Sequence, residues 1–348
     1  MTQLFDNQAT ESLRARLRLN HEVIRQLRNK LFKRFLPDSG VISDATEMRH
    51  LKLHCLELTQ RLDSRLDGAS KILFRTETGM SIETVILRIA TGRTTLCVSS
   101  QVGCAAACQF CATGHMGIAQ SLTAAQILDQ VVQSGQILTA EKRLLNNIVF
   151  MGMGEPFHNE QNLYQAIECL TDPHQFARSP GSLLISTVGI PDAMVRCAQR
   201  FPDVNLALSL HSVDQDVRRS IIPLAGKFRL PELRRAIDEV NRLTRRPLML
   251  EYLMLKDVND SLAQAEQVAK WVAGLNVHIN LIPFNPIADA PNLKSSSVDT
   301  IRHFSAALKL AGLKVTIRYS LGADIAAACG QLVRKRQLAT GQGMAELV

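Results

Sequence analysis

No stretch of 18 consecutive apolar residues occurs in this 348-residue chain, so the sequence holds no obvious membrane-spanning helix. The opening residues Met1-Thr2-Gln3-Leu4-Phe5-Asp6 carry neither a basic nor an apolar leader pattern, so no secretory signal is expected. Low-complexity runs are missing too, and 46% apolar residues give ample material for a packed core. The length suits one large domain with an accessory piece, or two domains. A cytoplasmic, membrane-free, monomeric protein is the expectation. Structural disulfides are then disfavoured, because thiols stay reduced in that compartment.

Acidic residues are scarce where basic ones crowd. From Arg14 to Arg34 lie Arg14, Arg16, Arg18, Arg25, Arg28, Lys30, Lys33 and Arg34 against the lone acid Glu22. Leu17, Leu19, Ile24, Leu27 and Leu31 interleave at helical spacing. The pattern fits an amphipathic helix with a basic wet face, or a surface that grips phosphates. The net charge of +8 agrees with a polyanionic partner without requiring one.

Residues 1–88 read as a mainly helical accessory domain, with a β-like piece near Ser81–Leu87. From residue 94 the chain alternates. Apolar, β-branched runs at 94–100, 146–152, 182–187, 204–210, 247–255, 278–284 and 314–320 predict strands. Helix-period segments at 123–137, 161–170, 191–200, 230–243, 262–275 and 298–310 lie between them. Such alternation predicts parallel βαβ units, and six units with a closing strand suit a partial (β/α)6 barrel spanning 89–332. Residues 333–348 read as a C-terminal tail.

A second pair of closely spaced cysteines, the usual mark of a zinc site, is also absent. What stands instead is Cys104-Ala105-Ala106-Ala107-Cys108-Gln109-Phe110-Cys111, a C-x3-C-x2-C run just after the first core strand. Three thiolates can ligate three irons of a [4Fe–4S] cluster. The fourth iron, left without a protein ligand, can chelate S-adenosylmethionine (SAM) and pass an electron to its sulfonium. A zinc site completed by His115 is the competing reading. Parallel α/β folds place their chemistry at strand C-terminal ends, where this loop falls.

Further polar groups converge on the same rim. The second strand ends in Gly152-Met153-Gly154-Glu155-Pro156, whose glycines let a ligand approach the backbone. The third ends in Ser186-Thr187-Val188-Gly189, the fourth in Ser209-Leu210-His211-Ser212, and the sixth runs into Asn280–Pro286. Any one of these fits an ordinary turn or helix cap. Cys55, Cys169 and Cys197 read as buried, inert thiols. Cys97 leads into the cysteine run, and Cys329 lies among small residues in Ala328-Cys329-Gly330-Gln331-Leu332.

Taken with Cys97–Cys104, Phe110–Gly114, Gly152–Pro156, Ser209–His211, Asn280–Pro286 and Ala328–Leu332, residues 75–332 resemble the radical SAM adenosine methyltransferases of 23S ribosomal RNA, the RlmN/Cfr family. The resemblance implies that Cys104, Cys108 and Cys111 hold the cluster. Gly154, Glu155, Ser186, Ser209, Leu210, His211 and Asn285 would contact SAM. Cys329 matches a cysteine that is first S-methylated, Cys97 its resolving partner, and Glu83 a proton acceptor. Two SAM molecules per turnover, a donor such as flavodoxin, and 23S rRNA with a tRNA as second substrate are implied as well. Residues 1–70 match poorly, so an RNA-facing role for that region is an expectation only.

The implied route suits the chemistry, because an adenine ring carbon is electrophilic and cannot attack a SAM methyl group. Pro156 resembles the enzymes that methylate carbon 2. Thr171-Asp172-Pro173 and Ser179-Pro180 resemble the carbon 8 branch, and carbon 2 is the expectation. A radical SAM enzyme acting on a peptide or small molecule would keep the three cysteines without needing Cys97 and Cys329. A zinc-bearing RNA-binding protein without catalysis is the remaining alternative.

Overall fold

The computed structural model describes residues 2–42 and 51–333. The tail expected at 333–348 lies outside them beyond Val333. The chain starts with a short strand β1 (Thr2–Gln3), helices α1 (Asn7–Arg16) and α2 (His21–Arg28), a π-type turn at Asn29–Lys33, and helix α3 (Asp38–Ile42). Strand β2 (Leu51–Lys52) pairs with β1. Three antiparallel strands follow: β3 (Glu57–Asp63), β4 (Ala69–Arg75) and β5 (Ser81–Arg88).

Strand β6 (Thr94–Cys97) begins the alternation. A small ribbon of β7 (Gln101–Gly103) and β8 (Ile118–Ser121) frames the cysteine loop and helix α4 (Ala112–His115). Then come α5 (Ala124–Ala140), β9 (Asn147–Phe150), α6 (Glu160–Thr171), β10 (Leu183–Thr187), α7 (Pro191–Arg200) and β11 (Asn205–Ser209). The remainder is α8 (Gln215–Ile221), α9 (Leu230–Leu243), β12 (Leu248–Met254), α10 (Leu262–Trp271), β13 (Val277–Pro283), α11 (Val298–Leu310) and β14 (Lys314–Ile317).

One ten-stranded sheet carries the molecule, in the order β14-β13-β12-β11-β10-β9-β6-β5-β4-β3. The seven strands from β6 to β14 run parallel, each joined to the next through helix, as the alternation predicts. Helix starts follow local chemistry: Thr123 with Gln126 and Ser261 with Gln264 form capping boxes for α5 and α10.

The expectation of a mainly helical segment up to residue 88 needs correcting for its second half. Only residues 7–42 are largely helical, whereas β3, β4 and β5 extend the core sheet across the boundary placed at 88. The strands at 57–63 and 69–75 escaped the sequence reading for a physical reason. Edge strand β3 exposes almost every residue, and β4 is buried nearly throughout, so neither shows clean alternation. The predicted strand 94–100 ends at Cys97, and helix 262–275 ends at Trp271.

In β12 and β13 the alternation sorts two faces. Leu250, Tyr252, Ile279 and Leu281 are buried in the main apolar core, while Met249, Glu251, Leu253, His278, Asn280 and Ile282 face a cavity on the opposite side. The N-terminal helices bury Ile24, Leu27, Leu31 and Phe32 in that same core. Phe32 stacks between Phe5 and Phe176, with ring centroids 5.3 and 4.6 Å away. The basic stretch is partly neutralised: Arg14 pairs with Glu11, Arg25 with Glu22, and Lys33 donates to Pro173 O, while Arg16, Arg18 and Arg34 are exposed.

His54 pins this region to the core. Its Nδ1 lies 2.6 Å from Asp129 of α5 and its Nε2 2.9 Å from Asp38 of α3. Asp129, fully buried, also accepts from the Cys55 and Leu56 amides. Burial opposes the imidazolium, but the two carboxylates prevail and raise the His54 pKa to about 9. A raised pKa means the contribution is complete below the unfolded value near 6.5 and fades as pH climbs through about 9. We expect His54→Ala to cost about 1–3 kcal/mol at pH 6, and the melting-temperature gap to the parent to close at pH 10. A gap constant from pH 6 to 10 would contradict this.

Candidate active site

The parallel strands end on a common rim, and a cavity of about 760 Å³ opens there along the inner face of the sheet. Its walls bring together Cys97, Cys104, Cys108, Cys111, Gly154, Glu155, Ser186, Ser209, His211 and Cys329. Residues separated by more than 230 positions thus meet in one place.

The cysteine loop is shaped by close backbone approaches. A Cβ on Gly114 would lie 2.7 Å from Cys108 O and 2.8 Å from Cys108 N, so no side chain fits there. The Cys111 amide donates to Cys108 O and the Gln109 amide to Ile221 O, which seats the loop on the end of α8. Cys104 and Cys108 are buried and Cys111 is half-buried. Desolvation raises all three thiols, Cys104 to about 12. Such thiols stay protonated at neutral pH until a metal takes them as thiolates.

The donor set bears on the choice between a cluster and zinc. Among the described residues no group of three or more His, Cys, Asp or Glu side chains converges on the position of one metal ion. A cubane presents a separate iron to each thiol, whereas a zinc ion gathers four ligands on one centre. His115, the fourth ligand a zinc site would want, is exposed and its Nε2 sits 2.9 Å from Gln109 O.

Glu155 follows the glycine run after β9. Gly154 has φ of +103°, and a Cβ there would press on Gln101 at 2.6 Å. Gln101 in turn accepts from the Glu155 amide at 3.0 Å. The Glu155 carboxylate takes the amides of Phe157 (3.1 Å) and Val188 (2.8 Å). Burial outweighs these hydrogen bonds and raises its pKa to about 7. His211 is held neutral, its pKa lowered to about 3 by burial and by Arg218. Its Nδ1 accepts from the Leu253 amide at 3.1 Å, which leaves the proton on Nε2.

Cys329 and Cys97 face the same cavity. The segment bearing Cys329 is tied to the thiol loop by Ala112 N to Gly330 O (2.7 Å) and by Thr113 Oγ1 to Leu332 O (2.6 Å). Solvent reaches Cys329 through the cavity, yet the surrounding walls push its pKa up to about 11, while Arg318 pulls the other way. Desolvation raises Cys97 to about 12, and negative charge on Cys329 adds to that rise.

Three sequence-derived candidates stand apart from the cavity wall. Leu210 is fully buried, its amide donating to Glu251 O and its carbonyl accepting from Arg218 Nε. Asn285 spends its amide on Ser320 Oγ and Cys329 O, so it braces the Cys329 loop. Glu83 lies buried under that loop, 3.3 Å from Lys71 Nζ, and accepts from the Val333 amide at 3.0 Å. The sequence reading passed over Gln101, Glu251 and Arg318. Gln101 lies in the resemblance without a stated role, and Glu251 and Arg318 are single polar residues in strand regions that carry no spacing signal.

Comparison with known proteins adds an independent line. A probable RNA methyltransferase of Rhodopirellula baltica is 58% identical over 332 residues, covering 95% of this chain and 88% of the relative. A probable dual-specificity RNA methyltransferase RlmN of Thermus thermophilus is 41% identical over 82% of this chain and 80% of its own. The crystal structure of a radical SAM methyltransferase from Sphaerobacter thermophilus superposes with a TM-score of 0.87 at 35% identity, covering 95% of this chain and 99% of that one. No protein-family model matches the chain.

These likenesses define a radical SAM methyltransferase acting on RNA. The chain belongs to the RlmN/Cfr family of rRNA methyltransferases.

Substituting Gly114 by Ala should displace the Cys108 backbone while sparing the sheet. The expected outcome is unchanged far-ultraviolet circular dichroism with severalfold less iron bound per chain after anaerobic reconstitution. Full iron loading would show that the loop tolerates the extra atom.

Proposed function

We propose that this enzyme methylates a ring carbon of an adenosine in 23S rRNA, carbon 2, through a methyl group carried on Cys329. The observation that carries the proposal is the meeting of Cys97 and Cys329 in the cavity that also holds the three loop thiols. A radical SAM enzyme acting on a peptide or small molecule has no need of such a pair.

When bound by Cys104, Cys108 and Cys111, a [4Fe–4S] cluster would supply the electron that cleaves SAM. Gly154, with its open backbone, and Glu155 would receive the methionyl ammonium, with Ser186, Ser209 and His211 lining the rest of the SAM site. Leu210 and Asn285 would support it from behind, through the hydrogen bonds described above. Cys329, as thiolate, would take the methyl group of a first SAM by displacement, and a second SAM would serve the radical step on the resulting S-methyl group. Arg318 on the cavity wall favours that thiolate against the desolvation that opposes it. Glu83 would accept the ring proton as general base. Its cover by residues 326–333 means that this segment must lift before Glu83 meets the base. Cys97 would then free the product by forming a disulfide with Cys329.

The relatives named dual-specificity RNA methyltransferases support a second RNA substrate, for which a tRNA is proposed. Exposed Arg16, Arg18 and Arg34 offer phosphate contacts that support RNA recognition by residues 1–88. A flavodoxin-like electron donor and a monomeric, cytoplasmic enzyme complete the reading. Among the described residues no helix is long and apolar enough to cross a membrane.

The decisive experiment is nucleoside mass spectrometry of 23S rRNA from a methyltransferase-deficient host expressing this protein. We expect 2-methyladenosine with the parent and none with Cys329→Ala, while Cys97→Ala accumulates a covalent protein–RNA adduct. Finding 8-methyladenosine would move the site to carbon 8, and finding neither product from cluster-loaded protein would overturn the rRNA assignment.

Glu155 must be ionised to hold an ammonium. With its pKa near 7, SAM affinity of the reconstituted enzyme should rise about tenfold from pH 6 to pH 8. Equilibrium dialysis with labelled SAM checks this, and affinity that is flat or falls with pH would remove Glu155 from that role.

A further inference from the structure

Arg218 is a fully buried arginine, at 0% exposure, on helix α8. Its Nε donates to Leu210 O at 3.1 Å, and its Nη2 donates to Val188 O at 2.5 Å and Ser209 O at 3.2 Å. Ser209 closes β11, and Val188 and Leu210 open the loops after β10 and β11 at the edge of the cavity. The Arg218 Nη1 is buried without a hydrogen-bond partner among the described residues. Burial lowers its pKa only to about 10, so it remains a cation at neutral pH.

No carboxylate pairs with this charge among the described residues, and Cys108 lies near enough that its thiolate, once formed, would be stabilised by it. The helix itself touches the cysteine loop, through Ile221 O and the Gln109 amide at 2.9 Å. Ile221 and Ile222 share one apolar cluster with Cys104 and Cys108. A buried cation without a counterion is expensive, and carbonyl dipoles only partly replace water around it.

We infer that Arg218 is the counterion of the iron–sulfur site, a positioning residue that raises the reduction potential of a cluster bound by the loop thiols while bracing the loops after β10 and β11. The inference rests on the cluster reading. Three thiolates make the loaded site anionic, and reduction adds one more negative charge. A fixed cation nearby favours the reduced state, and low-dielectric surroundings strengthen the effect.

The test compares the reconstituted parent with Arg218→Lys, Arg218→Gln and Arg218→Met, reading the midpoint potential by anaerobic titration with electron paramagnetic resonance. Iron and sulfide content of the parent comes first, since a parent without a [4Fe–4S] cluster sinks the underlying reading itself. With the parent loaded, the neutral variants should show a lower potential, by at least a tenfold drop in the reduction constant, about 59 mV for one electron. Lys should stay near the parent potential while binding SAM more weakly, because it keeps the charge and loses the fork of hydrogen bonds. Equal potentials across all four proteins would overturn the inference. Should the neutral variants fold but refuse the cluster, uptake by Lys supports the charge, and refusal by Lys as well assigns Arg218 a purely structural role.

Discussion

Backbone hydrogen bonding across ten strands is the constraint on which the rest of this molecule depends. Parallel register sets Ser209 beside Glu251, Glu251 beside Asn280, and Asn280 beside Thr316, so polar residues from four strands form one row on the inner face. Thr316 Oγ1 donates to Asn280 Oδ1, and Asn280 Nδ2 donates to Glu251 Oε2, both at 2.9 Å. A slip of one residue in any strand would turn its polar members into the apolar layer under the helices. The cavity chemistry is therefore held by the sheet before any loop contributes.

The loops are fixed to that sheet by groups already committed to one another. Ala112 and Thr113 clasp the segment bearing Cys329, and Asn285 braces it from the next loop. Arg218 ties three carbonyls behind the cavity wall. Each tie satisfies polar backbone that would otherwise be buried alone, so function-bearing loops are ordered without adding apolar bulk at the rim. The thiols meanwhile sit in surroundings that oppose their ionisation. A metal or a neighbouring cation works against that opposition by favouring the thiolate.

Much of this was legible in the sequence because it was local or periodic. The strand and helix alternation from residue 94 onward needs only side-chain pattern and capping residues, and the cysteine spacing lies within one loop. Helix α8 and the β7–β8 ribbon were too short to carry a period. Strands β3 and β4 were hidden because one is exposed and the other buried along nearly its whole length, so neither alternates. Glu251 and Arg318 carried no signal, since an isolated polar residue in a strand region looks the same at any place in a chain.

By itself the sequence determined the alternating core, the thiol loop and the family, since each is written in neighbouring residues or in motifs met in order. Tertiary structure alone decided that Cys97 and Cys329 share a cavity, that Glu83 lies under the Cys329 segment, and that Asn285 serves that segment. It alone seated an unpaired arginine behind the cysteine loop. Those outcomes depend on which strand lies beside which and how far each side chain reaches, and such distances exist only once the sheet has closed its register.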